Sequence, residues 1–312
     1  MYLNVSSSPH IRDSVTTQRL MGDVCIALLP ALVASFFMFG LRAVLLTLVT
    51  VIACVAFEWL SNVIMKRSQT IGDLSAVVTG LLLAFCLPPQ LPYWMAVFGA
   101  FISIVVVKMM FGGIGANFAN PAIVGRIVLG ISFAGEMNSF GLLGRFLGES
   151  GNDLVTTATP LVLMGGDKAV PYLDLFLGRH AGTIGEVSAL AILIGAAYLV
   201  LRGVIDLWIP LTYVAATAVF VLVLGQDPLT HILAGGLMLG AFFMATDYVT
   251  SPTTTKGKII FGLGCGLLTG LFRIFAASPE GVSFAILLMN IMTPHIQRWT
   301  RNKTIGGVDY VA

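Results

Sequence analysis

Residues able to do chemistry are sparse in this sequence, and they gather in three polar segments. The first runs Asp153-Leu154-Val155-Thr156-Thr157-Ala158-Thr159-Pro160. A threonine hydroxyl has a high pKa, and no base stands beside these three, so none is a self-activated nucleophile. Read alone, the segment is a threonine-rich turn with Asp153 as its turn former. The second segment, Ala245 to Gly257, carries Asp247, Thr250, Ser251, Thr253, Thr254 and Lys256 around Pro252. Two uses fit it. Its hydroxyls, amides and Lys256 can hold a bound group or coordinate a hydrated cation beside the Asp247 carboxylate. Alternatively, its oxygens cap the exposed amides of a helix starting near Gly257, with Lys256 as a surface charge. A carboxylate embedded in apolar chain is costly, which favours a functional use for Asp247. The third segment places Gly112, Gly113 and Gly115 before Asn117, Asn120 and Pro121. It is no dinucleotide fingerprint, because no strand precedes it and no ribose-binding acid follows. Glycines there permit close helix approach or an unwound backbone.

The elements that position these segments are membrane helices. Of 312 residues, 57% are hydrophobic and only 10% charged. A water-soluble domain carries about 25% charged residues, so most of this surface must face an apolar medium. Apolar runs of about 20 residues, each able to cross a hydrocarbon core of about 30 Å, account for the difference. Reading runs and breakers gives ten helices: 22–40, 42–64, 73–88, 92–111, 118–135, 183–201, 205–225, 229–246, 257–276 and 281–298. The domain reading is 1–135 for a polar tail and five helices, 136–182 for a long polar loop, and 183–312 for five helices and a polar end. Residues 1–19 have no apolar core of a cleavable signal, so the first span is expected to act as its own insertion signal.

Lys and Arg orient the chain. With the N-terminus inside, Arg12, Arg19, Lys66, Arg67, Lys108, Arg202, Lys256, Lys258, Arg298, Arg301 and Lys303 fall on the cytoplasmic side. Arg42, Arg145, Lys168, Arg179 and Arg273 fall outside, and Arg126 lies within a span. Both termini are therefore expected in the cytoplasm and the 136–182 loop outside it. A net charge of +2 gives no reason to expect nucleic acid. Cys25, Cys54, Cys86 and Cys265 sit in separate apolar runs without metal-ligand spacing, and are expected as buried thiols. His10, His180, His231 and His295 are isolated and expected at surfaces or interfaces. Arg273 and Glu280 are seven residues apart, as an ion pair at a membrane boundary or a gate on an ion path.

The halves resemble each other. GLLLAFCLP from Gly80 and GLMLGAFFMATD from Gly236 are each short for a span and end in polar, proline-containing breakers. About 40 residues after each glycine come Asn120-Pro121-Ala122 and Ser278-Pro279-Glu280-Gly281. Five spans per half make the repeats inverted, and interrupted helices in matching positions usually build a midplane site where helix ends face each other.

Six motifs then carry a family resemblance: SSSPHIR, LSAVVTGLLLAFCLPP, GGIGANFANPAIVGRI, TTATPL, MATDYVTSPTTTKG and PEGVSFAILLMN. In this order, spread over nearly the whole chain, they resemble the D subunits of Rnf complexes, whose near relatives are the B subunits of sodium-pumping NADH:quinone oxidoreductase. The resemblance implies an all-α, urea-channel-like scaffold in the bacterial or archaeal cytoplasmic membrane. It implies electron transfer that drives Na⁺ or H⁺ outward, within a complex whose other subunits handle ferredoxin and the nicotinamide. In that family a [ST]-x-A-T sequence receives FMN through its phosphate. Carried over, Thr156 and Ala158 are the first and third positions and Thr159 the acceptor, while Thr157 stands where a smaller residue is usual. A separate flavin transferase using FAD and Mg²⁺ would activate the hydroxyl, and Asp153 would serve its recognition or the turn. A second, non-covalent flavin such as riboflavin is implied near Asn117 and Asn120. Two other readings fit the scaffold: the quinone-reductase B subunit, against which the short polar N-terminal segment argues, and a channel or permease without redox work.

Overall fold

The computed structural model describes residues 15–143, 154–156, 159–163, 170–186, 188–276 and 281–301. Its helices follow the apolar runs. Helix α1 (Thr17–Phe39) starts where Thr16 accepts from the Arg19 amide, and Gly40, at φ 75°, separates it from α2 (Leu41–Ile64). Both helices, with α13 (Thr255–Phe275), are long and apolar enough to cross a membrane. Their outward faces carry large apolar side chains such as Ile26, Val33, Leu48, Ile52 and Leu267. A water-soluble protein would expose polar residues there; a lipid-facing one does not.

Several other runs form shorter helices. They are α3 (Ser75–Phe85), α4 (Tyr93–Phe101, continued as a π-helix Ile102–Met109) and α5 (Pro121–Ser132). In the second half, α9 (Ala189–Leu201), α10 (Trp208–Val223) and α14 (Val282–Thr300) follow. Between the halves lie α6 (Ala134–Met137), α7 (Pro160–Leu163) and α8 (Tyr172–Leu177). Two three-residue strands, β1 (Gly141–Leu143) and β2 (Leu154–Thr156), pair antiparallel and put a small ribbon into an otherwise helical chain.

The eighth apolar run departs from expectation. The sequence predicts a single helix over 229–246; the structure has α11 (Pro228–Leu233) and α12 (Leu237–Leu239, continued as a π-helix Gly240–Met244). Gly235 and Gly236 between them have φ of 75° and 66°, a left-handed pair that no helix continues through.

Packing is close where side chains are small. Gly262, Gly266 and Gly270 repeat every fourth residue on α13 and meet Thr212, Ala216 and Phe220, which repeat likewise on α10. A Cβ at Gly266 would lie 2.5 Å from the Ala216 Cβ and 2.7 Å from the Tyr213 carbonyl oxygen. Without a hydrophobic driving force between membrane helices, such backbone approach is what holds them. The Tyr213 hydroxyl adds a 2.7 Å hydrogen bond to Thr269. Gly266→Leu therefore forces the two helices apart, at an expected cost of about 1–3 kcal/mol. Thermal unfolding in detergent checks it, and a mid-point unchanged from the parent would refute the close-packing reading.

Between the halves, α1 packs on α9 and α5 on α14. On the first of these seams a Cβ at Gly195 would lie 2.0 Å from the Ala27 carbonyl oxygen. Near its end, Asp23 accepts from the Tyr198 hydroxyl at 2.8 Å and pairs with Arg202 at 3.3 Å.

Candidate functional site

A polar cluster lies at the start of α3. The Glu58 and Lys108 side chains are 1% and 2% exposed, and Lys108 Nζ donates to Glu58 Oε2 at 2.9 Å. Thr70 donates to Glu58 Oε1 at 2.5 Å and receives Asn62 Nδ2 at 3.0 Å. Lys108 also donates to Ser75 Oγ at 2.5 Å, and Asp73 Oδ1 accepts from the Ser75 amide at 2.8 Å. Lys108, counted in the sequence among the cytoplasmic charges, is thus half of a buried ion pair. Glu58 went unnoticed in sequence, although a lone carboxylate within a span was signal enough. Losing one partner strands a buried charge, so Lys108→Met should destabilise by about 3–5 kcal/mol, and the double change Glu58→Leu, Lys108→Met by much less. Thermal unfolding of the three variants tests the pair; equal losses in the single and double variants would exclude it.

Lys108 faces a cavity of about 100 Å³ between the two halves. Ser75 and Thr79 of α3, Asn117 and Asn120 before α5, and Thr246 and Asp247 beyond α12 supply its polar wall. Met21, Leu82, Leu199, Phe242 and Phe243 make it apolar elsewhere. Asn117, Asn120 and Asp247, far apart in sequence, are therefore brought together. Asn120 caps α5 through Oδ1, accepting from the Ala122 amide at 3.0 Å, while its Nδ2 donates to the Met244 carbonyl at 3.4 Å. Asn117 Oδ1 is buried and has no hydrogen-bond partner. Asp247 shapes its own turn, accepting from the Thr250 hydroxyl at 3.0 Å and the Val249 amide at 3.4 Å.

The broken helices do meet: Cys86, at the end of α3, lies 4.0 Å from Met244, at the end of α12, sulfur to sulfur. Three of their end carbonyls are occupied. Gly185 and Ile184 amides donate to the Phe85 and Leu87 carbonyls at 2.9 and 3.0 Å, and Asn120 takes that of Met244. Of the groups expected to attract a cation here, Asp247 is the one that opens on the cavity.

The remaining polar residues of that stretch divide. Thr250 is buried and supports Asp247, with its carbonyl taken by Thr293 at 2.8 Å. Ser251 and Thr253 border a second cavity of about 250 Å³ with Asp206 and Lys258, a bonded ion pair. Thr254 caps α13, accepting from the Gly257 amide at 3.1 Å, and Lys256 is exposed on its first turn. Capping thus accounts for Thr254, and Lys256 touches neither cavity.

Thr159 lies apart. It is partly buried between β2 and α7, and Thr156 pairs through its backbone with Gly141. Asp153, Thr157 and Ala158 lie outside the described residues. Helix α7 rests on α11, and Pro160 borders a third cavity of about 350 Å³ with Tyr172, Asp227 and Thr230. Asp227 caps α11 there, through the Thr230 amide at 3.0 Å. Burial would raise its carboxyl, but hydrogen bonds from Thr230, Tyr172 and Leu229 outweigh this and hold it below the usual range. The same bond to Asp227 pushes the Tyr172 phenol up.

His180 and His231 are buried rather than at a surface or interface, and neither imidazole nitrogen of His231 has a partner. Cys54, Cys86 and Cys265 are buried and Cys25 half-buried. Among the described residues no group of three His, Cys, Asp or Glu side chains is placed to hold a metal ion. Glu280 lies outside the described residues.

Known proteins give this geometry its context. The chain is 48% identical to the D subunit of a Na⁺-translocating ferredoxin:NAD⁺ oxidoreductase complex from Acetobacterium woodii, covering 97% of this chain and 95% of that one. It is 40% identical to the D subunit of a proton-translocating ferredoxin:NAD⁺ oxidoreductase complex from Clostridium ljungdahlii, covering 97% and 96%. The D subunit of an ion-translocating oxidoreductase complex from Cronobacter sakazakii is 35% identical, over 98% and 99%. The profile of the NQR2, RnfD, RnfE family matches residues 4–306, and the chain belongs to that family.

Proposed function

We propose that this chain is the membrane electron-transfer subunit of an ion-translocating ferredoxin:NAD⁺ oxidoreductase in a bacterial cytoplasmic membrane, with FMN joined through its phosphate to Thr159. The observation that carries the reading is likeness to the D subunits of two such complexes over 97% of the chain, at 48% and 40% identity. One of those relatives is named for Na⁺ and the other for protons, so the ion is Na⁺ or H⁺. Ferredoxin and nicotinamide chemistry belongs to partner subunits, and a flavin transferase loads Thr159.

The residues present bear differently on the two flavins. Thr159 is partly exposed, immediately before α7. The cavity at Asp247, about 100 Å³, is smaller than a riboflavin needs, so a non-covalent flavin there requires its walls to move apart, although Asn117 Oδ1 lacks a donor. A bound flavin supplies the one- and two-electron steps that these side chains cannot. What the chain contributes is the Thr159 hydroxyl for attachment and a cavity whose apolar walls exclude water.

The scaffold is read as ten spans in two inverted five-helix repeats, termini in the cytoplasm and Thr159 outside. Three contacts support it: first helix on first (α1 on α9), last on last (α5 on α14), and broken third on broken third at Cys86 and Met244. Each pair is what a two-fold axis in the membrane plane generates.

Purification of the complex through a tag on this chain, followed by reconstitution into vesicles, tests the proposal. Reduced ferredoxin should reduce NAD⁺ and build an ion gradient. A tagged chain that purifies alone, from membranes retaining the full activity, would reject it.

A further inference from the structure

Among the described residues, two charged side chains line the cavity of about 100 Å³: the Lys108 ammonium and the Asp247 carboxylate. They come from opposite halves of the chain, and each is held from its own side. Lys108 Nζ donates to Glu58 Oε2 at 2.9 Å and to Ser75 Oγ at 2.5 Å, which leaves a third donor. The hydrogen bonds to Asp247 come from neutral groups, the Thr250 hydroxyl and the Val249 amide.

The charges around this cavity do not balance, because one ammonium serves two carboxylates, Glu58 and Asp247. Other charges nearby do not correct this. Asp73, reached from Lys108 through Ser75 Oγ, is partly exposed, so water screens it. Arg67 is exposed and donates to the Met109 carbonyl at 3.3 Å. An uncompensated carboxylate inside a membrane protein is costly. One monovalent cation at Asp247 restores the balance and leaves the ammonium to Glu58. Without that cation, Lys108 is the one positive group within the cavity.

The surroundings suit an exchange. A lysine carries a compact charge on a flexible four-carbon stem, with three donors that turn freely. Both charges stand beside π-helices: Ile102–Met109 carries Lys108, and Gly240–Met244 ends three residues before Asp247. Such helices are rare and frequent at functional sites. Asn117 Oδ1, buried in the same wall without a partner, can accept from an ammonium or ligate a metal cation. Glu58 keeps a donor when the ammonium turns away, since Thr70 bonds its Oε1 at 2.5 Å and is itself held by Asn62.

We propose that Lys108 is a tethered competitor of the translocated cation: its ammonium moves from Glu58 to Asp247 when the cation leaves the cavity, and an arriving cation returns it to Glu58. This rests on reading the chain as a membrane subunit of an ion-translocating complex. Lys108 and Glu58 are then positioning residues for release, and the buried ion pair is one of two resting places for the same ammonium.

The first test is an unfolding cycle on the full chain in detergent and Na⁺-free buffer. Glu58→Gln and Asp247→Asn each leave Lys108 one carboxylate, while the double variant leaves it none. The double variant should therefore lose about 3 °C or more beyond the sum of the single losses, or fail to fold. Adding Lys108→Met to it removes the stranded charge and should regain that excess. Additive losses, or a triple variant that regains nothing, overturn the proposal. The second test reads ion gradient formed per electron in vesicles of the assembled complex. In Glu58→Gln the ammonium has no other resting place than Asp247, so the gradient should fall about tenfold or more. Normal coupling in that complex also overturns the proposal, because a purely structural Glu58 predicts it. A parent complex that builds no gradient with donor supplied counts against the underlying reading alone, and the unfolding cycle then decides.

Discussion

Thr159→Ala removes all covalent flavin from this chain and stops ferredoxin-driven NAD⁺ reduction by the assembled complex, while the complex itself still forms. The loss is complete because a phosphoester needs a hydroxyl, and alanine has none. Assembly survives because Thr159 is only partly buried and lies outside the apolar helices. Removing one hydroxyl there should change stability by about 0.5 kcal/mol or less. The backbone pairing of Thr156 with Gly141 persists, since the substitution lies beyond β2. Thr156→Ala separates the roles further: it leaves the acceptor in place and should lower the extent of flavinylation without abolishing it. Flavin fluorescence of the chain on a denaturing gel, beside ferredoxin:NAD⁺ activity of the same preparation, gives both readings. A fluorescent Thr159→Ala chain would show that the acceptor is another residue.

Asp247→Asn has the second large effect, and it falls on coupling. Asparagine keeps an oxygen for the Val249 amide, so the turn that Asp247 shapes should stand. What is lost is the negative charge facing the cavity shared with Lys108, Asn117 and Asn120. A carboxylate about 4 Å from a cation is worth on the order of 4 kcal/mol at an effective dielectric constant near 20, so cation affinity should fall by a factor of about 100 or more. The expectation is that electrons still flow while the gradient formed per electron collapses. Vesicles holding equal amounts of complex, with NAD⁺ reduction and ion accumulation followed together, measure it. Normal coupling in the Asn variant would return Asp247 to a purely structural turn.

The pattern of apolar runs made most of the helices legible, since lipid-facing elements announce themselves by length and composition. The break at Gly235-Gly236 was not read as one. Two glycines inside a run of Leu and Ala also suit close helix packing, as Gly262 and Gly266 show, and only the left-handed φ values distinguish the cases. The meeting of the short third helices was foreseeable from their matched breakers, and Cys86 does touch Met244. The amides of 184–185 that take the Phe85 and Leu87 carbonyls arrive from a distant part of the chain, which no local pattern shows.

Within the site, Asn117, Asn120 and Asp247 could be named because polar residues among apolar ones are conspicuous. The pairing of Lys108 is hidden in the sequence for a physical reason. A lysine after an apolar run looks the same whether its ammonium reaches the headgroups or turns back to Glu58, 50 residues earlier. The Arg273 hydrogen bonds to the Ala234 and Gly235 carbonyls are equally hidden, since no side-chain pattern reveals a backbone acceptor.

Peptide mass spectrometry of this chain, taken from the native complex and digested after denaturation, reads the flavin's place directly. The peptide containing Thr156 to Thr159 should carry the mass of FMN as a phosphoester, with fragmentation locating it on Thr159. The same peptide recovered unmodified, from a complex that transfers electrons to NAD⁺ at full rate, would contradict a flavin-bearing role for this chain.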